Sequence, residues 1–146
     1  MAVEKRLYTI ETFEAYIALP HNRDRRFELI DGEIIEKTMP TQEHGVIAAN
    51  LIAALVPFVR QHSLGRVGAE IRSHSPGDAH NLRQPDISFH AGSTEPLVRQ
   101  GPVPRMPDLA VEIKSPDDNL RELRAKAEFY LNTGVRLVWL VYPDKQ

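Results

Sequence analysis

The sequence predicts an α/β protein, and three observations carry that expectation. Leu109, Val111 and Ile113 alternate with Ala110, Glu112 and Lys114, the period of a strand with one apolar side. Leu120, Leu123, Ala127, Tyr130 and Leu131 follow at helical spacing, and Val135 to Tyr142 is then nearly all apolar, the pattern of a strand buried on both faces. Upstream, Asp31-Gly32 between two apolar-containing runs favours a hairpin with a type I′ turn.

In chain order, Thr9 is a cap for a short helix carrying Phe13, Tyr16 and Ile17, with Pro20 as its stop. The basic cluster Arg23, Arg25 and Arg26 precedes the hairpin, which runs from Phe27-Glu28-Leu29-Ile30 to Glu33-Ile34-Ile35-Glu36. Glu28 and Glu33 are five residues apart, so a regular hairpin is expected to project them to opposite faces and to offer only one of them to a site. A long helix enters at Pro40-Thr41-Gln42-Glu43 and carries Ile47, Leu51, Ile52, Leu55, Phe58 and Val59. Pro57 is expected to kink it or end it early. Val67 to Ile71 and Pro85 to His90 read as strands separated by a turn-rich stretch, and a loop spans Ala91 to Pro107. Ser115 as cap, Pro116 at the first position and an acid three residues after the cap match a capping box for the last helix, which Gly134 terminates.

The 146 residues, 42% hydrophobic and 26% charged, suit one globular domain over 1–146 with a core of its own. With no cysteine, disulfides and thiolate metal sites are excluded, which leaves oxygen and imidazole ligands and fits a cytoplasmic protein. Met1 to Arg6 is charged where a signal peptide needs its apolar stretch, and no window is expected to span a membrane. A net charge of −2 and a pI near 6.3 lack the basic excess of a protein held on DNA mainly by counterion release. A nuclease site is itself acidic before metal fills it, so this balance does not decide the substrate.

The chemistry-bearing motifs are Gln84-Pro85-Asp86 and Glu112-Ile113-Lys114, each at a predicted strand. Along an extended strand Glu112 and Lys114 share a face about 6.5–7 Å apart, with the Ile113 carbonyl between them. With Asp86 on the adjacent strand, two carboxylates and that carbonyl can meet at one hard cation. Magnesium suits such a set because it keeps several waters for a substrate phosphate to displace. Lys114 can then orient or deprotonate an attacking water. Neither motif is specific alone: an acid-x-Lys triplet arises by chance about once in a chain this long, and Pro-Asp recurs at Asp86, Asp108, Asp117 and Asp144. Their joint placement is the signal. Asp108 lies about 13 Å from Glu112 along the strand and reads as a strand-entry residue. Glu28, Glu33, His44 and Lys126 are accessory candidates, each with an ordinary alternative: solvated hairpin acids, a helix-terminal polar residue, and a snorkelling lysine one turn from a packed Tyr130. Glu70, Arg72 and His74 share one face if their strand is regular, and line either the cleft or a solvated sheet face.

With these residues the chain resembles the PD-(D/E)xK phosphodiesterase superfamily, and within it the Uma-type bacterial restriction endonuclease family. The resemblance rests on Phe27 to Glu33, His44, Gln84-Pro85-Asp86, Pro107 to Pro116, and Lys126 through Trp139. It implies a restriction-endonuclease-like core, a central mixed sheet flanked by helices, here preceded by a helix and a hairpin. It further implies a Mg²⁺-dependent endonuclease, with Mn²⁺ able to substitute, DNA as substrate, and a homodimer to cut two strands. Asp86, Glu112 and Lys114 would be catalytic, with Asp86, Glu112 and the Ile113 carbonyl holding the metal. Cleavage would leave a 5′-phosphate and a 3′-hydroxyl. Many members lack the lysine at the position of Lys114, and members usually continue past the strand at Val135–Tyr142, so a sheet-edge element is expected to be missing here. The alternative is a catalytically degenerate DNA- or partner-binding module that keeps the fold, and a third reading is hydrolysis of RNA or a nucleotide.

Overall fold

The computed structural model describes residues 7–92 and 94–144; the charged Met1–Arg6 stretch lies outside them. Helix α1 spans Ile10–Ile17 and begins with the expected cap. The Thr9 hydroxyl accepts from the Thr12 N–H, and the Thr12 hydroxyl accepts from the Thr9 N–H, so two orphan donors are satisfied reciprocally. Strands β1 (Arg26–Ile30) and β2 (Glu33–Lys37) form the hairpin, with φ of 48° at Asp31 and 78° at Gly32, the two positive values a type I′ turn requires. Phe13 packs with Phe27, Leu29 and Leu82 into one core. Leu29 and Leu82 exchange two backbone hydrogen bonds of 2.9 Å, which tie the hairpin to the segment leading into Asp86.

Helix α2 covers Gln42–Gln61, with the Thr41 hydroxyl accepting from the His44 N–H. Contrary to expectation it runs through Pro57 without ending. Pro57 lies on the solvent side, where water can reach the carbonyl that proline leaves without its donor. By length and composition α2 is also long and apolar enough to cross a membrane, with a mean hydropathy of 1.3. Here its inner face packs Ile47, Leu51, Ile52 and Leu55 against Ile87, Leu109, Val111 and Ile113.

The main sheet contains β3 (Gly65–Ala69), β4 (Ile87–Ala91), β5 (Leu109–Ile113) and β6 (Leu137–Val141) in that spatial order. The first two pairings are antiparallel and the last is parallel. Helix α3 (Leu120–Asn132) is the crossover between the parallel pair. It packs Tyr130 and Phe129 with Ala110 and Val138, whereas α2 covers Leu109 and Val111. Alternation along β5 therefore sends odd residues to α2 and even residues, including Glu112, to α3. The result is a four-stranded mixed sheet flanked by helices, the restriction-endonuclease-like arrangement, with the first helix and the hairpin as a separate layer.

Three local expectations are corrected. β3 stops at Ala69 because Glu70 takes a left-handed φ of 53°, so Glu70, Arg72 and His74 do not share a strand face. Arg26 instead pairs with Glu70, and Arg72 with Glu14. α3 starts four residues late, at Leu120, because Asn119 takes the cap and accepts from the Arg121 N–H, while Ser115 to Asp118 close a separate turn. Leu120 and Leu131 are exposed rather than part of the buried stripe. β6 is an edge strand with Leu137 and Trp139 exposed, not a strand buried on both faces.

Candidate active site

β5 is interior to the sheet and buried along its whole length, so a charged residue at its end is desolvated unless other groups meet it. One step beyond the Ile87↔Val111 pair, the same register sets Asp86 across from Glu112. Both line a cavity of about 630 Å³ closed by the hairpin, the start of α2 and one side of α3.

Every buried carboxylate here has defined partners. Asp86 Oδ2 accepts from the Ile113 N–H at 2.7 Å and lies 3.1 Å from His44 Nε2. The His44 ring is delivered by the capped first turn of α2. Glu112 Oε1 accepts from the Tyr130 hydroxyl at 2.7 Å and lies 3.1 Å from Lys126 Nζ. The same ammonium is 3.1 Å from Glu28 Oε2, while Glu28 Oε1 accepts from the Gln84 N–H at 2.7 Å. Lys126 and Tyr130 reach the same carboxylate because they are one helical turn apart. Lys37 Nζ donates to the Gln84 carbonyl at 2.6 Å and stands 3.9 Å from Asp86 Oδ1.

Burial pushes Glu112 above the usual carboxylate range, and repulsion from Asp86 and Glu28 adds to it against the pull of Lys126 and Lys37. Burial acts on Glu28 in the same sense. There Lys126, Lys37, the Gln84 N–H and Arg83 together outweigh it, and the pKa falls below the usual value. Burial opposes the charge of Lys126 too, but Glu112 and Glu28 raise its pKa beyond that of a free lysine. Burial and the adjacent Glu112 keep the Tyr130 hydroxyl protonated, so it acts as a donor.

Of the residues singled out from the sequence, Asp86, Glu112, Ile113, Glu28, His44 and Lys126 all line this cavity. Glu33 and Lys114 do not. Glu33 pairs with Ile30, so by register it shares a face with Glu28 instead of opposing it, but it sits at the turn end and lines a different, smaller depression. Lys114 follows the last residue of β5, and its ammonium donates to the Ser115 carbonyl at 3.2 Å. Asp108 accepts from the Ala91 N–H at the far end of β5, consistent with a strand-entry role. The sequence reading missed Lys37. Its signal was available: a two-residue turn sets Arg26 opposite Lys37 and Glu28 opposite Ile35, so Lys37 lies on the face of Glu28.

Among the described residues no three His, Asp or Glu side chains converge tightly enough to enclose a metal by themselves. The donor set nonetheless fits magnesium, which binds through one or two carboxylates and keeps several waters. Tyr130 and Lys126 both take Glu112 Oε1, which leaves Oε2 for a cation. Ile113 gives its N–H to Asp86, and in an extended residue the carbonyl points to the same strand edge.

The fold is similar to a crystal structure from Anabaena variabilis ATCC 29413, described as a putative nuclease belonging to DUF820. It is 28% identical with a TM-score of 0.75, over 94% of this chain and 75% of that one. No curated protein matches the chain. Residues 13–146 match the sequence model of Uma2, described as "Putative restriction endonuclease", and the chain belongs to that family.

Proposed function

We propose that this protein is a magnesium-dependent DNA endonuclease that hydrolyses phosphodiester bonds, with Mn²⁺ able to replace Mg²⁺. The observation that carries the proposal is the meeting of Asp86 and Glu112 from neighbouring strands in one cavity, beside the cationic Lys126. Membership of a nuclease-like family supports the reaction class. Asp86 Oδ1, Glu112 Oε2 and the Ile113 carbonyl would hold the ion. When bound, it would polarise the scissile phosphate and lower the pKa of the attacking water.

The chain's own residues prepare that site. The Ile113 N–H and His44 hold Asp86 by Oδ2, and the Tyr130 hydroxyl holds Glu112 by Oε1, so each carboxylate can turn its other oxygen to the ion, that of Asp86 with the Lys37 ammonium 3.9 Å away. Lys126 stays an ammonium at neutral pH because its pKa is raised. It therefore orients water and offsets phosphate charge instead of taking a proton. This assigns to Lys126 the role that the sequence suggested for Lys114, whose amine lies outside the cavity lining.

The test is nicking of supercoiled plasmid with Mg²⁺ or Mn²⁺ by wild type, Glu112→Ala, Lys126→Ala and Lys114→Ala. Metal-dependent nicking lost in the first two variants and kept in the third is the expected result. A folded wild type that binds DNA without nicking it, with or without metal, would instead mark a degenerate binding module, and cleavage restricted to RNA would move the substrate.

A further inference from the structure

Over the roughly four turns between His44 and Arg60, α2 carries no acidic or basic side chain. Its outer face presents Val46, Ala49, Asn50, Ala53, Pro57 and Phe58, with Val46 53% and Phe58 55% exposed. A helix that packs only one face on a sheet normally covers the other with charge. A continuous uncharged face of this length is therefore unpartnered surface.

We propose that this face pairs with the same face of a second copy, the two helices antiparallel about a two-fold axis near Leu51 and Ile52. The proposal gives a surface to the homodimer that the nuclease reading calls for, and its evidence lies in α2 itself and not in the catalytic residues. A two-fold interface must be self-complementary, since the same patch meets itself reversed. The only acidic residue of α2, Glu43, and its only arginine, Arg60, lie at opposite ends, about 25 Å apart. Antiparallel pairing brings each Glu43 level with the partner copy's arginine at that end. The same register sets Val46 level with Pro57, Ala49 with Ala54, and Asn50 with Ala53 across the axis. Small side chains at the centre allow close approach of the two backbones. Pro57 has no N–H to give the Ala53 carbonyl, and the Asn50 amide of the opposing helix arrives at that level as a donor. A single polar residue in an apolar helix seam fixes register in this way. A membrane surface fits less well, because an interfacial helix relies on a row of bulky apolar anchors and flanking lysines, and between Val46 and Phe58 this face offers alanines, a proline and an asparagine, with no lysine in α2.

The experiment uses the full chain, which has no native cysteine. Sedimentation velocity should find a dimer, converted to a monomer of unchanged circular dichroism by Ala53→Arg at an exposed position. Ala53→Cys should form a disulfide-linked dimer on mild oxidation, because the two copies of residue 53 are offset by only about 4.5 Å along the helix axis. Val46→Cys should not, its copies being offset by about 16 Å. Glu43→Arg and Arg60→Glu should each weaken the dimer about tenfold and together restore it. Cross-linking at both positions would mean parallel pairing and overturn the proposal. So would a dimer that survives Ala53→Arg, or a monomeric wild type, whether or not it sediments with phosphatidylcholine–phosphatidylglycerol vesicles.

Discussion

The two sides of the cavity use one lysine each, and they use them differently. On the α3 side, Lys126 bridges two buried carboxylates at 3.1 Å each, and Tyr130 adds a 2.7 Å hydrogen bond to one of them. On the hairpin side, Lys37 is anchored to a neutral carbonyl and stands 3.9 Å from Asp86, whose tighter partners are a backbone N–H and an imidazole. The first side is a closed ion-pair network whose members depend on one ammonium. The second is a carboxylate already satisfied by the backbone, with a cation nearby. Removing a cation should thus be severe on one side and mild on the other.

The largest effect is expected for Lys126→Ala. It leaves Glu28 and Glu112 buried without their shared counter-charge, and removing one partner from a buried pair costs about 3–5 kcal/mol. The sign of the pH dependence follows. The raised pKa of Lys126 means that its contribution is fully present below the free-lysine value of 10.5 and is lost only as pH rises through the still higher folded value. Glu28, with a lowered pKa, contributes stability that is present above 4.5 and lost as pH falls through its folded value. The deficit of the variant should therefore be greatest near neutrality and shrink in acid as both carboxylates protonate. Urea melts at a series of pH values measure this, and an equal deficit at all of them would show that Lys126 acts through packing alone.

Tyr130→Phe comes next. The ring is fully buried and stays, so only the hydroxyl is lost, at about 1.5–3 kcal/mol for a hydrogen bond to a charged group. Because that hydroxyl fixes Glu112, Mn²⁺ affinity measured by calorimetry should drop about 10–100-fold, as for other groups that orient a metal ligand. An unchanged affinity would detach Tyr130 from the metal site and leave it a core residue.

These two side chains were legible in the sequence as a pair one helical turn apart, and Asp86 and Glu112 were legible as short motifs at strand ends. Lys37 was not read, because faces were counted along the chain. Across a two-residue turn the flanking residues pair and share a face, so Ile30 and Glu33, five-residue neighbours of Arg25 and Glu28, follow the pairing and not the parity of their separation. The apolar run at β6 was misread for another reason: composition says that side chains avoid water, not which elements cover them. At Pro57 local propensity yielded to tertiary packing of α2 on the sheet.

Lys37→Ala sharpens the contrast. Its loss removes one hydrogen bond to the Gln84 carbonyl and a more distant charge from Asp86, so the expected cost is about 1–2 kcal/mol, below that of Lys126→Ala. A cost equal to that of Lys126→Ala in the same urea melts would make the two sides equivalent and erase the distinction drawn above.

The smallest effect should belong to Lys114→Ala. Lys114 is the residue that a strand-based reading of Glu112-Ile113-Lys114 puts at the centre of the chemistry, since side chains two apart share a strand face. That geometry holds only while the strand continues. β5 ends at Ile113, the Lys114 N–H bonds to the Val141 carbonyl, and the ammonium turns to the Ser115 carbonyl. A half-exposed lysine with one neutral partner contributes within about 0.5 kcal/mol of nothing. Stability and plasmid nicking should both stay at wild-type level, whereas Lys126→Ala loses nicking by about 100-fold or more, the scale of removing one preorganised charge-stabilising group. If Lys114→Ala is the inactive variant and Lys126→Ala the active one, the cationic role returns to the strand and Lys126 is left as a structural counter-ion.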